Sequence, residues 1–139
     1  MAIKLFPKLR AAIRWSRAID SVAASNYREA LDLLESVETH FNDYPEYFLL
    51  RGFVEYALAD NQVAINDLRK AIQYIRKSKK YNSDEKNYLI RYAAHFIEES
   101  LKTINVDIRP SFEIDDADLS FDISKVANHL KGKFPIDKL

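Results

Sequence analysis

The sequence contains no cysteine, only two glycines and only four prolines among its 139 residues. The absence of cysteine excludes a disulfide scaffold, thiol catalysis and a cysteine-ligated zinc site. Because few glycines and prolines leave few tight turns, long helices with short connections suit this composition better than a sheet of many strands. The chain is long enough to form one domain with a substantial hydrophobic core.

The sequence also lacks an excess of either charge, since 21 basic and 21 acidic side chains give a formal net charge of zero. Overall charge therefore gives no argument for binding to nucleic acid or to an anionic membrane. No apolar run approaches the length of a signal peptide or of a membrane span. We expect a soluble, cytoplasmic protein with no membrane partner.

One pattern of residues occurs twice: NYREALDLLESV occupies positions 26–37 and DNQVAINDLRKA occupies positions 60–71. Superposing residues 11–44 on residues 45–78 aligns small and apolar residues that are three or four positions apart within each copy. The aligned pairs are Ala30 with Ala64, Leu34 with Leu68, Val37 with Ala71, Ala18 with Gly52, Ile19 with Phe53 and Ala23 with Ala57. This spacing predicts one buried stripe on each helix.

The expected helix boundaries agree with this repeat. Pro45 stands where proline is favoured, at the first position of a helix. Asp60 and Asn26 are residue types typical of N-caps, and they occupy equivalent places in the two copies. Each copy is therefore predicted to be a helix, a short turn and a second helix.

A third copy is predicted to be partial. YLIRYAAHF at 88–96 matches FLLRGFVEY at 48–56, with six more residues between the matching segments than between the first two copies. These extra residues are expected to lengthen the preceding helix or its turn. Ser83 is the expected cap of the third unit, and after residue 103 its second helix is not recognisable.

A helix–turn–helix period of this length, roughly 34 residues, with small residues at fixed places resembles the tetratricopeptide repeat. The resemblance covers about residues 11–103, and its matching positions in the second copy are Phe48, Gly52, Ala64, Leu68 and Ala71. That family usually has leucine directly before the small residue. All three copies here have arginine at that place, namely Arg17, Arg51 and Arg91. The resemblance implies an all-α fold of antiparallel repeats, roughly 2.5 of them, in a right-handed superhelix whose first helices line a concave face. The alternative is an unrelated array of helical hairpins.

The chain is predicted to divide into a repeat domain, residues 1–104, and a C-terminal segment, residues 105–139. Within that segment SFEIDDADLSFDI (111–123) combines five acidic residues with apolar ones and contains no base. SKVANHLKGK after it is typical of a short amphipathic helix. The segment is expected either to cap the last repeat or to fold back into the concave groove as a tethered pseudo-ligand.

The three arginines at equivalent places predict a polar stripe along the first helices, with Ser21, Glu55 and His95 one turn further on. Arginine suits bidentate recognition of carboxylates, so the stripe is expected to bind an acidic or C-terminal segment of a partner protein. The candidate partner-binding residues are Trp15, Arg17, Tyr47, Arg51, Glu55, Tyr56, Arg91 and His95. The alternative is a solvated face of ordinary i,i+4 ion pairs such as Arg51 with Glu55.

No motif for catalysis, metal binding or phosphate binding occurs, and the three histidines are far apart in the sequence. We therefore expect a non-enzymatic protein-interaction module without cofactors, of the adaptor, chaperone or toxin-neutralising type. One alternative is nucleic-acid binding through the basic stretch RKAIQYIRKSKKY (69–81), which includes Tyr74 and Tyr81. Another is self-association into a homodimer through an exposed apolar end of the array.

Overall fold

A computed structural model describes residues 2–104, and these residues form six helices. The helices are α1 (Ala2–Ala23), α2 (Tyr27–Ser36), α3 (Glu38–Phe41), α4 (Pro45–Ala57), α5 (Asn61–Lys77) and α6 (Ser83–Ile104). The prediction of an all-α chain is confirmed for this range. No helix within it is both long and apolar enough to cross a membrane. The predicted C-terminal segment, with both its alternatives, lies outside the described residues.

The described helices belong to two compact units, unit 1 at residues 2–42 and unit 2 at residues 43–104. In unit 1, α1 packs against α2 through stripes of buried residues spaced three or four apart. The stripe of α1 is Ala11, Ala12, Trp15, Ala18, Ile19 and Val22, and that of α2 is Ala30, Leu31 and Leu34. The predicted position of the apolar stripe on α2 is therefore correct.

In unit 2, α5 packs against both α4 and α6, and α4 also contacts α6. Almost every residue of α4 is buried, including the acidic Glu46 and Glu55, so apolar residues occur on more than one face of this helix. The buried apolar stripe of α5 is Ala64, Ile65, Leu68, Ala71, Ile72 and Ile75, which contains all the small and bulky residues predicted for it. Pro45 is at the start of α4, as predicted.

The turn between α1 and α2 and the turn between α4 and α5 are built alike. Ser25 and Ala59, which occupy equivalent places in the two copies, both have a left-handed backbone, with φ of 60° and 64°. The hydrogen bonds repeat in the same register. Those of the first turn are Ala24 N to Asp20 O, Ser25 N to Val22 O and Asn26 N to Ser21 O, and those of the second are Leu58 N to Val54 O, Ala59 N to Tyr56 O and Asp60 N to Glu55 O. The predicted helix–turn–helix period is confirmed for the first two copies.

Gly52 allows α4 and α5 to approach each other closely. A Cβ atom at this position would lie 2.7 Å from Cγ and 2.8 Å from Cδ2 of Leu68, which is itself fully buried. Any side chain at residue 52 would therefore collide with the core of the hairpin. The small residue that the repeat pattern places here has a direct packing reason.

The helix caps differ in part from those predicted. Asn26 and Asp60 occupy the N-cap positions of α2 and α5, but neither side chain makes a capping hydrogen bond. The predicted cap Ser83 is instead the first residue of α6. Asn82 caps this helix, because its Oδ1 accepts a hydrogen bond from Glu85 N at 2.8 Å while Glu85 Oε1 accepts one from Asn82 N at 3.2 Å. This reciprocal pair is a capping box.

Candidate partner-binding site

Arg51 of α4 forms an ion pair with Asp67 of α5. Its Nε donates to Asp67 Oδ2 at 2.7 Å and its Nη2 to Asp67 Oδ1 at 3.0 Å, so the pair is bidentate. Only 11% of the Arg51 side chain and 4% of the Asp67 side chain are exposed. Nη1 of Arg51 also donates to the hydroxyl of Tyr47 at 3.0 Å. The carboxylate that Arg51 binds is therefore inside its own hairpin.

This arrangement corrects the expectation that Arg51 pairs with Glu55 on a solvated face. Glu55 is buried, with 4% of its surface exposed. Burial raises its pKa to about 9, and a hydrogen bond with Asp67 and the charge of Asp67 act in the same direction, whereas Arg51 opposes them. Glu55 is thus protonated at neutral pH and donates its proton towards Asp67, while its Oε1 is buried without a hydrogen-bond partner among the described residues.

The raised pKa of Glu55 predicts a particular dependence of stability on pH. Between the ordinary pKa of 4.5 and about 9, the folded chain holds this proton and the unfolded chain releases it. The contribution of protonated Glu55 to the free energy of unfolding is fully present below pH 4.5 and decreases as pH rises, by up to about 1.4 kcal/mol per pH unit. Glu55→Gln keeps the neutral shape but cannot ionise. Its free energy of unfolding should therefore decline less between pH 5 and pH 9, as measured by urea denaturation.

The matched control for this substitution is Glu35→Gln on α2, which removes an exposed carboxylate. The control should retain the pH dependence of the unmodified protein. If Glu55→Gln and the unmodified protein lose stability in parallel as pH rises, Glu55 does not hold a proton in the folded state.

Arg17 and Trp15 lie in unit 1. The Arg17 side chain is 60% exposed, and its Nη2 is 3.8 Å from Oε1 of Glu29, whose side chain is 47% exposed. The residue aligned with Asp67 in this copy is Leu33, so the bidentate pair of unit 2 has no counterpart here. Trp15 is buried, with its ring centroid 5.4 Å from that of Phe41. A row of arginines shared by all three copies stays a prediction.

The burial of three candidate residues corrects the expectation that they lie open beside the arginines. Trp15, Tyr47 and Glu55 have almost no exposed surface. Their side chains are therefore not available to a partner in this structure.

Arg91 of α6 is exposed, in contrast to Arg51. The two arginines match in the sequence, but α5 covers only the first of them. One turn after Arg91, His95 is half-exposed, and its ring centroid is 4.8 Å from that of Phe96. Burial lowers the pKa of His95, and the nearby glutamates oppose this effect only in part. Its imidazole is therefore neutral at pH 7.

The rings of Tyr56, His95 and Phe96, all half-exposed, form what we call the aromatic surface of unit 2. Tyr56 of α4 lies with its ring centroid 4.8 Å from that of Phe96. The rings of Phe53 and Tyr92 are buried behind Phe96, at 5.1 and 4.9 Å from it. The aromatic surface therefore has a packed base that holds its rings in place. Of the eight candidate residues, Tyr56, Arg91 and His95 combine accessibility with a location at or beside it.

The basic stretch at residues 69–81 is partly engaged in the fold. Tyr81 is buried, its hydroxyl donates to Oε1 of Glu46, and Lys80 Nζ lies 2.9 Å from the same oxygen. Burial raises the pKa of Tyr81. The ring of Tyr74 is 5.5 Å from that of Phe48 and half-buried. Tyr81 is therefore not accessible for stacking on a base, and nucleic-acid binding by this stretch stays an untested alternative.

Sequence reasoning missed two residues that shape the site, Asp67 and Phe96. Asp67 lies between Ala64 and Leu68 within the buried stripe of α5, and an acid at such a position needs a partner when buried. Phe96 aligns with Tyr56 when the third copy is matched to the second, and these two rings are in contact. Equivalent aromatic residues in successive copies were the available signal for this contact.

Among residues 2–104 there is no cluster of three or more histidine, aspartate or glutamate side chains able to hold a metal ion. The sequence has no significant match among protein-family models, among curated proteins or among solved structures.

Proposed function

We propose that the chain is a non-enzymatic protein-interaction module that binds a segment of another protein on the aromatic surface of unit 2. The observation that carries the proposal is the contact between the half-exposed rings of Tyr56, His95 and Phe96 above buried Phe53 and Tyr92. Aromatic side chains held rigid and partly exposed lose little conformational entropy on binding, and they are enriched at the centres of protein interfaces.

The partner segment should combine an apolar side chain with a carboxylate. Tyr56 and Phe96 offer the apolar contact, and exposed Arg91, one turn before His95, offers a guanidinium group at its side. Because Arg51 and Asp67 are buried together whereas Arg91 is exposed, Arg91 is the arginine of this stripe that we propose binds the carboxylate of the partner. Neutral His95 adds an aromatic face and a hydrogen-bonding group rather than a charge.

We further propose that the hairpins are tetratricopeptide-like and that, within unit 2, α6 packs beside α4 as the first helix of a following repeat does. The matching turns at Ser25 and Ala59 support this proposal, as does the contact between equivalent residues Tyr56 and Phe96 of α4 and α6. An adaptor, a chaperone and a neutraliser of a toxic partner would each use such a surface. They differ in the partner bound, and a cytoplasmic location fits all three.

The test begins by isolating partners on the tagged full chain from its native host, and continues with purified proteins. For each captured protein, titration calorimetry compares the unmodified chain with Arg91→Ala and His95→Ala. Each substitution should weaken binding about tenfold, which is the effect of losing a central interface residue at about 1.4 kcal/mol. The matched control is Arg69→Ala on α5, which removes an exposed arginine that is not one of the residues of this surface and should change affinity less than about twofold.

Thermal unfolding of every variant must first show that the fold is intact. Equal binding by Arg91→Ala, His95→Ala and the control would remove the aromatic surface as the site. Weaker binding by Arg69→Ala alone would direct attention to the basic stretch instead.

A further inference from the structure

A cavity of about 370 Å³ lies in unit 1, between α1 and the segment that joins α2 to α3. Its apolar walls are formed by Pro7 and Ala11 of α1 and by Val37, which follows α2. The volume is within the range of about 300–1,000 Å³ that is typical of small-molecule sites. Because this cavity and the aromatic surface share no residues, a ligand inferred for the cavity does not depend on the proposed function.

The polar part of the cavity lining is entirely basic or neutral. Arg10 and Arg14, one turn apart on α1, line it together with His40 of α3 and Ser36 of α2, and no acidic residue is among its described lining residues. Within the described part of the chain neither arginine has a hydrogen bond or an ion pair. Two guanidinium groups one turn apart on a helix repel each other weakly in water, and an anion between them would relieve this repulsion.

We infer that this cavity binds a small apolar carboxylic acid, with its hydrocarbon part between Pro7, Ala11 and Val37 and its carboxylate on Arg10 and Arg14. Guanidinium groups match the geometry of a carboxylate and bind it with two parallel hydrogen bonds. The apolar walls add burial of the hydrocarbon part, which an inorganic anion lacks. We expect binding to need both the two arginines and the apolar walls, and an experiment can remove the contribution of each separately.

The experiment uses 4-phenylbutyrate as the probe and the full chain labelled for NMR. Titration should shift the methyl signals of Ala11 and Val37 until they reach saturation. The neutral analogue 4-phenylbutanamide, which has the same shape, should bind at least tenfold more weakly because it leaves the two arginines without an anion. Inorganic phosphate at equal concentration should not shift the methyl signal of Val37 to saturation.

The double variant Arg10→Gln/Arg14→Gln should raise the dissociation constant for 4-phenylbutyrate at least tenfold. Lys8→Gln is the matched control, because it removes an exposed positive charge from the same helix but does not line the cavity. Its dissociation constant should change less than twofold. If the double variant loses helical circular dichroism, Arg10→Gln and Arg14→Gln alone give the same comparison, each with a smaller increase.

Three outcomes would overturn the inference. One is the absence of saturable binding by 4-phenylbutyrate. Another is equal binding by the amide, which would leave only an apolar cleft. The third is an equal loss of affinity in Lys8→Gln and in the arginine variants, which would show that the probe responds to the overall charge of α1.

Discussion

Replacing Asp67 by alanine should lower the free energy of unfolding of unit 2 by about 3–5 kcal/mol, the usual cost of removing one partner of a buried ion pair. The substitution leaves the guanidinium group of Arg51, with 11% of its side chain exposed, without the carboxylate that binds it at 2.7 and 3.0 Å. The hydroxyl of Tyr47 is a neutral acceptor and cannot replace that charge. Urea denaturation followed by circular dichroism measures the loss.

The removal of Asp67 should also change the protonation of Glu55, which gives a second prediction. In the unmodified chain the charge of Asp67 helps to keep Glu55 protonated, and Arg51 acts against it. Once Asp67 is gone, Arg51 should lower the pKa of Glu55 and draw its ionised carboxylate into a partial replacement pair. The double variant Asp67→Ala/Glu55→Gln removes that replacement. At pH 8 it should therefore be less stable than the sum of the two single effects predicts.

The surface ion pair of unit 1 is the matched control for the buried one. Arg17→Ala breaks a contact of 3.8 Å between side chains that are 60% and 47% exposed. Exposed pairs contribute about 0–1 kcal/mol, so this variant should unfold close to the unmodified chain. Equal losses in Arg17→Ala and Asp67→Ala would mean that the bidentate geometry of Arg51 does not stabilise unit 2.

The contrast between these arginines shows why the sequence predicted the hairpins better than the site. Helices, turns and the buried stripe of α5 depend on spacings of three and four residues and on the residues at helix ends, which are visible locally. Arg51 contacts Asp67 across 16 residues, which depends on how α4 crosses α5. The nearer acid, Glu55, has the correct i,i+4 spacing for an ion pair but is protonated. Spacing alone could not distinguish the two carboxyl groups.

Arginines at equivalent positions of the repeat also have different surroundings in the structure, which the sequence alone does not show. Arg51 is covered by α5, whereas Arg91 on α6 is exposed. The aromatic surface depends on the contact between α4 and α6, and only the alignment of Tyr56 with Phe96 indicated it. The acid expected from a partner at Arg51 is in fact supplied by the chain itself.

Replacing Gly52 by alanine should destabilise unit 2 by about 1–2 kcal/mol, although alanine is the better helix former. The added methyl group would lie 2.7 Å from Cγ of Leu68, and Leu68 has no exposed surface. Overpacking of this kind costs about 1–3 kcal/mol, and the higher helix propensity of alanine returns about 0.5–1 kcal/mol of it. Urea denaturation of purified protein gives the net change.

The sign of this effect should reverse when Leu68 is shortened. Leu68→Ala alone should cost about 2–5 kcal/mol, because it empties part of the core between α4 and α5. In that background the methyl group of Ala at residue 52 enters the space left by Leu68. The one close contact that remains, 3.3 Å to the backbone N of residue 68, is tight but is not a collision, so the helix-propensity gain and some refilling of the cavity prevail. Gly52→Ala should then stabilise the chain by about 0.5–1 kcal/mol. If Gly52→Ala instead has the same effect in both backgrounds, the closeness of α4 and α5 does not set the residue at position 52, and the glycine of the repeat pattern needs another explanation.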